Sequence, residues 1–218
     1  MAFRPKLRYA LPLAGGLALA ISAPGFADEA PALPGQVDLS RVTAGTYATD
    51  PAHTLVSWRL NHFGFNDYFG LFGGIEGTLQ LDPAKPEAAR LDVTIPIADV
   101  TVAAEGLKDH LLRPGKDGAA PDFFGPNPAA ARFVSTSVTR TGETEATIIG
   151  DLTLNGVTRP VAVAAEFTGA GANPMNKAET VGFEGRARIK RSDFGLTTFV
   201  PVVSDEVDLT ITAAFEKQ

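Results

Sequence analysis

The chain contains no cysteine among its 218 residues. Disulfides, thiol nucleophiles, thiolate metal sites and iron–sulfur clusters are therefore excluded, and a folded domain must be held together by its apolar core. Tryptophan occurs once and methionine twice, whereas 44% of the residues are hydrophobic, which is enough for such a core. Catalytic signatures are also scarce, because the sequence has neither a Gly-x-Ser-x-Gly nor a His-Glu-x-x-His motif.

Long apolar runs are absent except near the amino terminus. Three basic residues lie within the first eight positions, an apolar stretch follows from Tyr9 to Ser22, and small residues lead to Ala27. This stretch is shorter than the roughly 20 residues of a membrane-spanning helix. The pattern predicts a cleavable signal peptide over residues 1–27, export of the remaining chain and no stable membrane span.

The chain that follows the predicted signal peptide is acidic. The signal peptide holds three of the 19 Lys and Arg, so 16 basic residues remain against 25 acidic ones, a formal net charge of −9. This balance argues against nucleic acid or an anionic lipid surface as a partner. Residues 28–44 are rich in Pro, Ala and Gly and are predicted to form a flexible leader. A single domain is expected over residues 45–218.

The clearest structural motif is Asn155-Gly156, which separates two stretches of alternating apolar and polar residues. A type I′ turn needs positive φ at both central positions, and Asn-Gly satisfies this requirement. The turn pairs Leu154 with Val157 and places apolar side chains on one face of a β-hairpin. Arg159 is the charged exception on that face. It is predicted to extend to solvent at the rim, or to meet an anionic or carbonyl head group at a barrel mouth.

Similar alternation recurs along the whole domain. About eight strand patterns follow Thr46, and the glycine-punctuated stretch Phe69–Leu81 indicates a bent or bulged strand. Only Ala103–Leu112 has a helical pattern. An antiparallel sheet that closes into a barrel or folds into a sandwich is therefore expected. Small inward residues such as Gly150 and Gly185 leave room inside, so a hollow and a filled interior both stay open.

Several motifs occur in the order found in the YceI family of exported lipid-binding proteins, which this chain resembles over about residues 46–215. They are Tyr47–His53, Trp58–His62, Gly70–Leu81, Lys108–Leu111, Asp122–Phe124, Phe133–Ser135, Gly150–Val161 and Arg191–Gly195. The resemblance implies an all-β fold, namely an extended antiparallel eight-stranded lipocalin-like β-barrel with one short helix. It also implies an elongated apolar cavity for a polyisoprenoid or similar lipid, a periplasmic location and a possible homodimer.

Apolar side chains of the predicted strands, helix and loops are candidates to line this cavity, although the aromatic residues could instead fill a solid core. The candidate ligand-binding residues are Trp58, Leu60, Phe63, Phe65, Phe72, Val93, Ile95, Leu107, Leu111, Phe123, Phe133, Leu152, Phe183, Phe194 and Phe199. His53 and Arg159 are candidates for contact with a head group. Arg191 and Asp193 are expected to form a structural turn with a mutual ion pair.

The sequence thus predicts a periplasmic binding or carrier protein and not an enzyme. The expected ligand is a long-chain isoprenoid, either an isoprenoid quinone or an isoprenyl phosphate, whose tail is desolvated in the barrel. No metal and no cofactor is expected besides such a bound lipid. The main alternative is a solid-core barrel whose surface binds a partner protein in the envelope, and a hydrolase on the same scaffold is a more distant one.

Overall fold

The computed structural model describes residues 32–218, so the predicted signal peptide over residues 1–27 lies outside the described residues. The strands are β1 (Gly45–Thr49), β2 (Leu55–His62), β3 (Asn66–Phe72), β4 (Glu76–Leu81), β5 (Arg90–Ile95), β6 (Ala131–Arg140), β7 (Glu145–Leu154), β8 (Val157–Ala172), β9 (Glu179–Lys190) and β10 (Glu206–Lys217). One α-helix, α1, spans Glu105–Leu112, within the predicted helical stretch. Short 3₁₀ turns cover Leu39–Arg41, Pro86–Ala88, Ile97–Asp99, Lys116–Gly118 and Arg191–Phe194. No helix in the described range is both long and apolar enough to cross a membrane.

The strands form one closed antiparallel sheet. Its order is β1-β4-β5-β6-β7-β8-β9-β10-β2-β3, and β10 also pairs with β1. Both β1 and β2 pair with β10, at residues 215–217 and 208–212, so they form one interrupted strand. On the other edge of this interrupted strand, β3 pairs with β2 and β4 pairs with β1, so β3 and β4 form a second interrupted strand. The next strand of the barrel is β5, which pairs with β4. The result is an eight-stranded barrel with one helix, which confirms the predicted fold class, and the break at residues 73–75 lies in the predicted bent stretch.

The predicted hairpin is present with its predicted register. Leu154 pairs with Val157 and Gly150 with Val161 in β7 and β8. The turn residue Asn155 has φ 51° and the following glycine has φ 77°, as a type I′ turn requires. The local turn chemistry therefore fixes which side chains of this hairpin point into the barrel.

At two inward glycines, the aromatic ring of a neighbouring residue occupies the space that a side chain would need. A Cβ atom at Gly70 would lie 2.2 Å from Cζ2 of Trp58, its partner on β2. A Cβ atom at Gly150 would lie 2.3 Å from Cζ of Phe133. The room predicted at Gly150 is thus occupied by an aromatic side chain.

The part of the predicted leader that the structure describes, residues 32–44, is not a free tail, which corrects the prediction of flexibility for these residues. Gln36 and Ala170 exchange two backbone hydrogen bonds, with N–O distances of 3.1 and 2.9 Å. Val42 is buried in the apolar cluster that contains Tyr47 and Phe167. The Pro-rich composition did not reveal these contacts because they are made to distant strands.

The packing of this segment can be tested at Val42. Val42→Ala should lower the free energy of unfolding by about 2 kcal/mol, because it removes buried methyl groups and leaves a small cavity. Val37→Ala is the matched control, since Val37 is 65% exposed and should change stability by less than about 0.5 kcal/mol. Urea unfolding followed by circular dichroism measures both. Equal small effects would show that the segment is not part of the folded domain.

Arg191 organises the loop between β9 and β10. It is 4% exposed, and its guanidinium donates hydrogen bonds to backbone carbonyls within residues 196–204. Asp193 is exposed and forms no ion pair with Arg191, so the predicted mutual pair is wrong. The carboxylate of Asp205 instead accepts hydrogen bonds from the backbone N–H and the hydroxyl of Ser192, at 2.9 and 2.8 Å.

Candidate functional site

The barrel encloses an apolar cavity made of two adjoining chambers. The first, called the inner chamber, has an empty volume of about 1000 Å³, a figure that includes space open to solvent. Its walls come from both the early and the late strands, and nearly all of its side chains are aliphatic or aromatic. They are Thr54, Val56, Ile75, Leu79, Leu91, Val93, Ile95, Phe133, Ile148, Leu152, Val163, Ala165, Phe183, Glu184, Gly185, Ala187, Leu209, Ile211, Ala213 and Phe215.

The second, called the outer chamber, has an empty volume of about 930 Å³ counted in the same way, and it extends to the loops at one end of the barrel. These loops are the segment before β1, the β4–β5 connection and the β6–β7 connection. Leu39, Pro83, Arg140 and Glu143 line this chamber and are all exposed to solvent. The outer chamber therefore borders the solvent-exposed loops at this end of the barrel, and we call this end the mouth.

The hollow interior is also visible in the exposure of the inward side chains. On β5 and β9, residues such as Val93, Ile95 and Ala187 point inward, yet they are only partly buried. Side chains at such positions in a filled barrel would be fully buried. The barrel therefore holds apolar free space along part of its interior, as ligand-binding barrels do.

The other end of the barrel is filled. Trp58, Val100 and Val207 form a buried cluster with Leu111 of α1. Leu209, the partner of Trp58 on β10, lines the inner chamber, so this cluster lies next to the inner chamber. The cavity is thus bounded by a packed layer on one side and by loops on the other.

The predicted ligand-binding residues fall into three groups. Those that line the inner chamber are Val93, Ile95, Phe133, Leu152 and Phe183. Those that pack in or against the buried clusters near α1 and the 3₁₀ turn before Gly195 are Trp58, Leu60, Phe72, Leu107, Leu111, Phe123 and Phe194. Phe63, Phe65 and Phe199 lie outside, with 47%, 88% and 47% of their surface exposed, and they line neither chamber.

The two predicted head-group residues also lie away from the cavity. His53 has a largely exposed side chain whose Nδ1 lies 2.6 Å from Oδ2 of Asp50. Arg159 is exposed, donates a hydrogen bond to the carbonyl of Thr158 and borders a surface depression with Arg188. Of the two roles predicted for Arg159, the structure therefore shows the first, in which its side chain extends to solvent.

Most cavity residues that the sequence analysis missed are aliphatic. Leu79, Ile148, Val163, Ile211 and Ala213 each occupy the inward positions of alternating strands. Their signal was therefore present in the two-residue periodicity, and the register of the hairpin already placed Ile148 and Val163 on the apolar face.

Charge at the mouth is limited and mixed. Arg140 is the single cation among the residues that line the two chambers. Its guanidinium donates hydrogen bonds to the carbonyls of Gly142 and Glu143, at 2.9 and 3.1 Å. Two acidic residues, Glu143 and Glu145, line the same chamber. Across residues 32–218 no group of three or more His, Cys, Asp or Glu side chains could hold a metal ion.

His110 has a structural environment on α1. Its Nε2 lies 3.0 Å from Oδ2 of Asp122, which also accepts a hydrogen bond from Arg113 at 2.9 Å. Hydrogen bonds from Arg113 and His110 lower the pKa of the Asp122 carboxyl. The backbone N–H of Phe124 donates to the carbonyl of Leu111, so the loop after α1 is fixed to the end of the helix.

Comparison with known proteins agrees with this architecture. The model of the YceI-like domain matches residues 47–215. A UPF0312 protein from Ectopseudomonas mendocina is 38% identical over 172 residues, which cover 77% of this chain and 85% of that protein. The crystal structure of Burkholderia cenocepacia BcnA has a TM-score of 0.62 and 25% identity, and the match covers 82% of this chain and 99% of that chain.

A more distant structural neighbour is a polyisoprenoid binding domain from Saccharophagus degradans, implicated in plant cell wall breakdown. It has a TM-score of 0.56 over 79% of this chain and 98% of that chain, and at 11% identity the likeness shows the fold alone. The family match, in contrast, extends from β1 to β10 and includes all strands of the barrel. The chain therefore belongs to the YceI family.

Proposed function

We propose that this protein binds a long-chain isoprenoid or a related lipid in the two chambers and carries it in the periplasm. The observation that supports this most is the hollow apolar barrel with a mouth at one end. The structural neighbour described as a polyisoprenoid binding domain supports the same ligand class. The periplasmic location rests on the predicted signal peptide.

Burial of the tail supplies most of the binding energy. Transferring roughly 500 Å² of hydrocarbon from water into such a cavity contributes about 12 kcal/mol before costs. Loss of translational freedom and ordering of a flexible tail offset a large share of this amount. Submicromolar affinity is therefore compatible with an apolar cavity that offers few polar contacts.

The charges at the mouth favour an uncharged head group. Phosphate is usually bound by several cationic or backbone donors, whereas Arg140 is a single cation here and shares the chamber with Glu143 and Glu145. The carboxylates of Glu143 and Glu145 repel a phosphate, whereas a quinone or another neutral head group meets no such repulsion. We therefore propose an isoprenoid quinone in preference to an isoprenyl phosphate.

Native mass spectrometry of protein purified from an envelope fraction tests the ligand class, and titration tests the head group. We expect a co-purified neutral lipid, and at least about tenfold tighter binding of a quinone than of an isoprenyl phosphate with the same tail, a difference typical of one unfavourable charge contact. The variant that combines Glu143→Gln with Glu145→Gln should reduce this preference. Equal affinities would reject the neutral head group, and no binding of either lipid would reject the carrier function.

A further inference from the structure

We infer that Phe183 limits how far a lipid tail enters the barrel and thereby selects ligands by tail length. The inference rests on the proposed lipid binding and adds a determinant of specificity to it.

Phe183 lies at the boundary between the chambers. Five residues from five different strands line both chambers, and together we call them the girdle. They are Leu79, Leu91, Ile148, Ala165 and Phe183. Phe183 is the one aromatic residue among these five, so its ring is the largest obstacle between the mouth and the inner chamber.

Two neighbouring rings hold the Phe183 side chain in place. Its ring centroid lies 5.8 Å from that of Phe167 and 6.1 Å from that of Phe215, both in edge-on arrangements. Phe167 lines the outer chamber and Phe215 lines the inner one, and both are buried. Phe183 itself is only partly buried, because its ring also faces the free space of the cavity.

The ring has room to move towards the inner chamber. The residue opposite Phe183 on β10 is Ala213, a small residue that lines this chamber. A tail that enters from the mouth can therefore pass the girdle when the Phe183 ring turns, but the ring then loses its edge-on contacts. A short tail remains in the outer chamber and leaves the Phe183 ring in place, whereas a long tail must displace the ring and break its edge-on contacts.

Binding of two ubiquinones with the same head group, one with two and one with eight isoprene units, tests this inference. In Phe183→Ala the affinity for the long-tailed ubiquinone should rise at least about fivefold, which corresponds to the loss of one aromatic contact, while the affinity for the short-tailed one changes less than about twofold. Phe183→Leu should show a smaller change in the same direction and retains more of the core. Thermal unfolding of both variants shows that the domain is folded.

A second readout follows from the position of Trp58. It is the one tryptophan of the chain, and its strand partner Leu209 lines the inner chamber, so its fluorescence reports on the occupancy of that chamber. With a bromine at the end of the tail, the long-tailed probe should quench Trp58 in the unmodified protein and the short-tailed probe should not. Bromine quenches tryptophan only at short range.

Three outcomes would overturn the inference. The first is an equal change in affinity for both ubiquinones in Phe183→Ala, and the second is strong quenching of Trp58 by the short-tailed probe in the unmodified protein. The third is that neither ubiquinone binds the unmodified protein, and this result rejects the proposed function itself. Failure of the length selection and failure of lipid binding are thus separated.

Discussion

Replacing Arg191 with methionine is expected to lower the free energy of unfolding by about 3–5 kcal/mol. The guanidinium donates hydrogen bonds to four backbone carbonyls, with distances of 2.6 Å to Leu196, 2.8 Å to Thr198, 2.8 Å to Val203 and 2.9 Å to Ser204. Methionine fills a similar volume but leaves these carbonyls without partners, and each unpaired buried group is costly. Burial lowers the pKa of the Arg191 guanidinium, yet the group stays charged at neutral pH.

Two further variants define the role of Arg191. Arg191→Lys should recover only part of the stability, because an ammonium offers three donors and lacks the planar fork that reaches four carbonyls. Arg186→Met is the control on β9, since Arg186 is exposed and should change stability by less than about 0.5 kcal/mol. Urea unfolding measures all three. A loss below about 1 kcal/mol in Arg191→Met would contradict the assigned role of this residue.

Filling the inner chamber by Ala187→Phe should weaken lipid binding by about 50-fold, because the new ring excludes roughly 100 Å² of tail from the cavity. Ala187 points into this chamber and is only partly buried, so the ring has space and the free energy of unfolding should change by less than about 1.5 kcal/mol. Titration with a long-tailed ubiquinone measures the affinity, and urea unfolding measures the stability.

The matched control for this variant is Arg186→Phe, which adds a ring at the preceding residue on the outer face of β9. It should leave lipid affinity unchanged within about twofold. Equal loss of affinity in both variants would place the ligand on the surface of the barrel. Unchanged affinity in Ala187→Phe would show that the tail does not occupy the inner chamber.

The fold was predictable because local signals agreed with each other. The Asn155-Gly156 turn set the hairpin register, and the two-residue alternation placed inward and outward faces on nearly every strand. The helical pattern over Ala103–Leu112 likewise predicted α1. Each of these signals is encoded within a few residues of the feature that it specifies.

The candidate site was predicted less well because a cavity depends on contacts between distant strands. Phe63, Phe65 and Phe199 were predicted as ligand contacts from their aromatic character, yet they lie in turns, and Phe63 and Phe199 have φ values of 57° and 62°. Arg191 was assigned to an ion pair because its carbonyl partners are not visible in a side-chain pattern. Composition reports which residues are apolar, but only the closed barrel determines which of them meet free space.

The pairing of β10 has a consequence for when a ligand can be acquired. This strand joins β9 on one edge and both β1 and β2 on the other, so the 12 residues Glu206–Lys217 complete the ring. Before they are in place, the inner chamber lacks the wall formed by Leu209, Ile211, Ala213 and Phe215, and the apolar face of the sheet is open to water. The proposed lipid can therefore be enclosed only after β10 has paired with its neighbours, and a chain truncated before Glu206 should not retain a lipid in the inner chamber.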